Sequence, residues 1–351
     1  MSLAHPSSSA ATLRPRGRAI APLATGIVLA VVLLGSVALT VTIGIADLSP
    51  AQVWGTVAAH VRGTDLPLPP IHDAVVWQLR IPRALTAVTV GAGLALCGAV
   101  LQALLRNPLA DPYLLGVSSG ASLGAVAVLV LGVALALPLA AFAGGAAALA
   151  VTLAIGSATG RLDPSRTVLA GVAVASGCSA LTSLVIFWSS TGDSYREILT
   201  WLLGSLAGSS WPDAYLALIV LTVVGIPLAF SGAALDAFTF GETAAASLGV
   251  PVQRTRWLLL GATALLTSVL VSVSGAIGFV GLVLPHAIRL LVGASNRAIL
   301  PLSALLGASV LLWADTAART IADPRELPVG VVTALVGTPA FALILLRRSA
   351  R

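Results

Sequence analysis

Four histidines, His5, His60, His72 and His286, are the first residues to question, because imidazole serves as general base and metal ligand near neutral pH. They are dispersed and have no acidic or thiol companions at ligand spacing, so neither a metal site nor a catalytic cluster is expected. Cys97 and Cys178 lie in separate apolar runs, where a thiol behaves as a small hydrophobe, and no disulfide framework follows from them. All 19 basic residues are arginine and none is lysine. That excludes from this chain the phosphate-gripping lysine of a P-loop and any Schiff-base chemistry. The sequence therefore predicts no catalytic residue and no cofactor of its own. Asp315, a carboxylate inside an apolar run, is by default a candidate for an ion or proton relay, but few ionisable residues accompany it in such runs.

The elements that carry these residues are unusually apolar. Of 351 residues, 58% are hydrophobic and 9% charged, against about a quarter charged in an ordinary soluble domain. An all-α integral membrane fold is expected, since a bilayer accepts apolar side chains on the outside of every helix. Ten runs are long enough to be candidate spans: 27–45, 84–105, 113–135, 137–158, 167–188, 214–231, 257–274, 276–294, 298–318 and 328–346. Residues 1–18 form a polar, arginine-bearing tail, and 19–351 a single transmembrane domain. An even span count with the tail in the cytoplasm leaves Arg62, Arg80, Arg83, Arg196, Arg319 and Arg325 outside and the other thirteen arginines inside. Both termini are then cytoplasmic in a multi-pass protein of the cell membrane, and the net charge of +6 reads as topology rather than as a nucleic-acid surface.

Local signals refine the elements. Asp111-Pro112 and Asp163-Pro164 each offer an N-cap carboxylate followed by proline at the first helical position. Gly116, Gly120 and Gly124 recur every four residues, which lets a neighbouring helix approach closely. The longest polar connection on the cytoplasmic side runs over 232–256. Within it Thr239-Phe-Gly-Glu242 has the spacing of a capping box, and Gly249 and Pro251 stop the helix after about nine residues. A helix so short needs a partner, either another protein or the lipid surface.

Between Arg106 and Ala121 the chain reads RNPLADPYLLGVSSGA, a turn stiffened by Asn107-Pro108 and Asp111-Pro112. With WQLRIPR at Trp77–Arg83, GETAAASLGV at Gly241–Val250, GAIGFVGLVLPHAIRLLVG at Gly275–Gly293, ADTAAR at Ala314–Arg319 and ELPVGVVTALVGTPAF at Glu326–Phe341, it resembles the FecCD family of ABC importer permeases. The resemblance implies a cobalamin-permease-like fold of ten helices and a partner set. That set is two ATP-binding-cassette ATPase subunits carrying ATP and Mg, a second permease subunit, identical or paralogous, and an extracytoplasmic substrate-binding protein. It implies import of a ferric siderophore, or else haem or cobalamin. It also makes the short helix a coupling helix, with Thr239, Gly241, Glu242, Ala245, Leu248 and Gly249 at the ATPase, and it matches Arg80, Arg83 and Arg319 to positions that dock acidic residues of the binding protein. From the residues alone, an Asp315–Arg319 pair one helical turn apart is the intramolecular alternative. Gln102, Ser272 and Ser274 are candidates to line a translocation path or to bond to the backbone nearby. An ion-coupled secondary transporter is the different-class alternative.

Overall fold

The computed structural model describes residues 22–44, 46, 48–64, 69–131, 136–158, 160, 163–189, 192–322 and 325–349. The tail over 1–18 lies outside them. Among the described residues the chain is helical, and ten apolar helices coincide with the ten runs. They are α1 (Pro22–Thr40), α3 (Pro70–Leu104), α4 (Val117–Leu131), α5 (Leu137–Gly156), α6 (Pro164–Ser189), α8 (Trp211–Phe230), α11 (Val252–Ser274), α12 (Val280–Val292), α13 (Asn296–Ala318) and α14 (Val329–Ser349). Four shorter helices complete the set: α2 (Pro50–Arg62), α7 (Gly192–Leu202), α9 (Gly232–Phe238) and α10 (Glu242–Ser247).

Helix α3 is the central pillar. Its most apolar stretch is 83% buried, whereas that of α1 is 11% buried and presents apolar side chains outward, as a lipid-facing helix must. Without water to drive apolar surfaces together, helices in a bilayer associate through close packing. The sequence supplies the small residues for it. A Cβ on Gly307 of α13 would come 2.3 Å from the Gly91 carbonyl oxygen of α3, so these two backbones touch with no side chain between them. Gly120 and Gly124 of α4 meet α5 at Gly144 and Ala140 in the same way, as their spacing predicts. Gly116 does not join that stripe. It ends a 3-10 turn at φ +77° and faces Gly171 of α6.

The segment 47–76, whose role the sequence left open, contributes α2. Ser49 and Gln52 form a capping box at its start. His60 then stacks on Trp77 at 4.2 Å, and Trp77 continues to Trp211 and Tyr215, while His60 Nε2 lies 2.8 Å from Asp73. This aromatic row pins α2 to the same end of the bundle as Arg80.

Two stretches of non-helical backbone lie deep in the bundle. After α3 the chain turns at Asn107, whose carboxamide oxygen accepts from Leu109 N–H, and folds back so that Pro112 packs on Gly281. Gly281 in turn rests against Leu94 and Gly98 of α3, about 9–15 Å short of that helix's end at 1.5 Å per residue. The expected cytoplasmic turn is therefore re-entrant, and Asp111 caps the 3-10 turn Pro112–Leu115 through Tyr113 N–H (2.9 Å) rather than α4 itself. The second stretch, Gly275–Phe279, joins α11 to α12. At 13 residues α12 is about 20 Å long, too short for a hydrocarbon layer of about 30 Å, and this stretch makes up the distance.

Candidate functional site

Non-helical backbone inside a membrane protein must find its hydrogen bonds within the protein. The Tyr113 hydroxyl meets that need at Ile277, donating to its carbonyl and accepting from its N–H, both at 2.8 Å. Ser205 N–H reaches the Ser274 carbonyl at 2.9 Å. Phe279 then opens α12 with φ +69°, a left-handed conformation that costs a residue with a Cβ roughly 1–3 kcal/mol, and its ring packs against Gly337 of α14.

Gln102 belongs to the same junction. Pro285 has no N–H to give the Gly281 carbonyl four residues earlier. The Gln102 amide nitrogen supplies it at 3.3 Å, with Leu282 O at 3.0 Å, and its oxygen accepts from Arg289 at 2.5 Å. Gln102 thus repairs a proline break, and its side chain is fully committed to protein. Ser272 and Ser274 are also buried and bond to the carbonyls of Val269 and Leu270. All three thus bond to backbone, and Ser272 also lines a cavity of about 730 Å³ with Trp201 and Asp213.

At one end of the bundle stand Arg80, Arg83 and Arg319, lining a cavity of about 340 Å³ with Asp315 and Glu326. Within the chain itself each of the three is already bonded. Arg80 is 7% exposed and donates to the carbonyls of Val41, Thr42 and Ala46 at 3.0–3.3 Å. Arg319 donates to Thr40 O and Ile43 O at 2.6 Å. Both guanidinium groups thereby bond carbonyls at and just beyond the end of α1, and their charge suits the negative end of its dipole. The Asp315–Arg319 alternative is not formed either. Asp315, 3% exposed, takes Arg83 in a two-toothed pair at 2.9–3.0 Å, and the other arm of Arg83 reaches Glu326 at 2.8 Å. Arg319 has the same fork-shaped guanidinium, but it is turned to the carbonyls of Thr40 and Ile43, which leaves Asp315 to Arg83.

At the other end lies the segment 232–256. Asn296 and Asp315 are nineteen residues apart on α13, hence about 28 Å. Asp236 of α9 accepts from Asn296 N–H (2.7 Å) and the Ser295 hydroxyl (3.2 Å), so it caps α13 from outside. The capping box expected at Thr239 is absent. Thr239 donates to Asp236 O at 2.6 Å, and Gly241, at φ +97°, starts α10 with no side-chain cap. Glu242 instead binds Arg256 at 2.7 Å, because a guanidinium is a stronger partner than a neutral N–H. The helix is six residues long, not nine, and Gly249 at φ +83° follows it as expected. Ala245 is wholly buried against the chain itself, while Leu248 and Gly249 are exposed. Phe240, which the sequence does not single out as a site residue, is 78% exposed, and Leu248 is 70% exposed. Two large apolar side chains thus flank a very short helix.

Family comparison settles the class of protein. A model of the FecCD transport family matches residues 28–347. The chain belongs to the FecCD transport family. FecCD relatives include the uncharacterized ABC transporter permease protein YvrB of Bacillus subtilis, 45% identical over 291 residues, covering 80% of this chain and 80% of that protein. The cobalamin import system permease BtuC of Halobacterium salinarum is 42% identical, covering 84% of this chain and 79% of the relative. The vitamin B12 import system permease BtuC of Citrobacter koseri is 43% identical, covering 78% and 84%. Among solved structures, an inward-facing conformation of a putative metal-chelate type ABC transporter covers 93% of this chain and 99% of its own, with a TM-score of 0.80 at 31% identity. PsaBC from Streptococcus pneumoniae, in complex with Fab, shares the fold at a TM-score of 0.57 and 20% identity. This FecCD chain is the permease of an ABC importer, a multi-pass protein of the inner membrane.

Proposed function

We propose that this permease moves a metal chelate of the siderophore, haem or cobalamin kind into the cytoplasm, paired with a second permease subunit and driven by two ATPase subunits that hold ATP and Mg. The ferric siderophore is the cargo that the family resemblance implies first. Relatives named as cobalamin permeases keep the corrinoid in the same class.

The observation that carries the reading is the pair of exposed apolar side chains, Phe240 and Leu248, around a helix too short to stand alone. They supply the apolar face of a docking segment, and the ATPase is the partner that a lysine-free permease requires. The amino terminus and this segment face the cytoplasm in this reading, while the Arg83 end meets the binding protein. There an incoming carboxylate would exchange with Glu326, the more exposed of the two partners of Arg83. The secondary-transporter reading gains nothing from Asp315, the relay candidate singled out in the sequence, because that carboxylate is paired with Arg83.

Uptake into vesicles holding the permease, its ATPase and its binding protein tests this, with ferric siderophore, haem and cobalamin offered in turn. Accumulation of one chelate that requires ATP and survives collapse of ion gradients is expected. Uptake driven by a gradient through this chain alone would refute the function, and transport of none of the three would refute the cargo class.

A further inference from the structure

We propose that Arg256 is the positioning residue that joins the docking segment to the membrane-crossing body, so that force on α10 is delivered to α11. Its side chain is 3% exposed and stands in the first turns of α11. The guanidinium bonds Glu242, the first residue of α10, at 2.7 Å, and its central carbon lies 5.9 Å from the ring centre of Phe238, the last residue of α9. One buried cation therefore holds α9, α10 and α11 at a single point. Glu242 is 42% exposed at the side chain, so the arginine is the fixed member of the pair and the glutamate the member that moves with α10. Between Gly241 at φ +97° and Gly249 at φ +83°, α10 has a pivot at either end and little of its own to keep it in line. Ala245 seats it, and the ion pair sets its direction. The far end of α11 is Ser274, where the non-helical stretch held by Tyr113 begins. A pull received at Glu242 thus has a continuous helix along which to reach the break ahead of α12.

The inference rests on the reading that α10 meets the ATPase, and the experiment separates the two. Leu248→Cys in an otherwise native permease is cross-linked to the assembled ATPase, and the ratio of chelate transported to ATP hydrolysed is measured in Arg256→Gln, Arg256→Lys and Glu242→Gln. Expected are cross-linking at the level of the Leu248→Cys permease in all three and a ratio lowered on the order of tenfold in Arg256→Gln and Glu242→Gln, the factor that one hydrogen bond to a charged group corresponds to. Arg256→Lys, which keeps the charge, restores a good part of it. If Arg256→Gln does not fold, Glu242→Gln removes the same pair from its exposed side and decides the matter. Normal cross-linking with an unchanged ratio in Glu242→Gln overturns the role of Arg256. Failure of Leu248→Cys to cross-link in an active complex overturns the docking reading and this inference with it.

Discussion

Replacing Tyr113 by phenylalanine removes one oxygen atom and keeps the ring in place. That oxygen accepts from Ile277 N–H and donates to Ile277 O, so the substitution strips two backbone groups at once in a part of the chain that has no helical partner for them. Leaving a buried polar group unsatisfied costs about 1–3 kcal/mol, which puts the loss at about 2–6 kcal/mol. The low end already lowers the midpoint of heat unfolding by about 3 °C for a chain of 351 residues. Detergent-solubilised protein, heated in steps and scored for the fraction that stays monodisperse, reads that shift directly. Tyr195→Phe is the control, since Tyr195 is 49% exposed and its change predicts no shift. A Tyr113→Phe midpoint indistinguishable from the parent would show that the Gly275–Phe279 stretch finds its bonds elsewhere, and the account of the break would be wrong.

Arg80→Met removes three hydrogen bonds to the end of α1 and is expected to destabilise the protein by about 3 kcal/mol in the same assay, while the folded fraction binds its docking protein as before. A loss of binding with no loss of stability would return Arg80 to the outer surface. Gly307→Ala places a Cβ 2.3 Å from the Gly91 carbonyl oxygen and should sharply lower the yield of folded protein, whereas Gly35→Ala, with nothing within 4 Å, should leave it unchanged.

The parts legible in the sequence were those written in short-range pattern. Apolar runs of membrane length marked all ten helices, including 276–294, where Pro285, His286 and Arg289 obscure the pattern. Gly120 and Gly124 announced the contact with α5 because a four-residue repeat is a property of one helix face. The partners of the charged and amide side chains were not legible, because they lie far along the chain. Arg83 finds Asp315 across 232 positions, and Gln102 finds a carbonyl orphaned by a proline 179 positions on. The supposed capping box failed for the same reason. Local spacing described what Glu242 could reach within its own turn, and Arg256 offered it a better bond from the next helix. The string from Asn107 to Pro112 declared a stiff turn, but its re-entry depends on Gly281, which no neighbouring residue foretells.

The bare meeting of Gly91 with Gly307 has a practical bearing on how motion in this protein can be followed. Two backbones in direct contact have no side chains to repack between them, so α3 and α13 travel as one piece. Probes placed one on each of them will report a constant separation through every state of the cycle. An informative pair must put its second probe elsewhere, and α14, which meets the break at Ala276 through Gly330 and at Phe279 through Gly337, is the natural place for it.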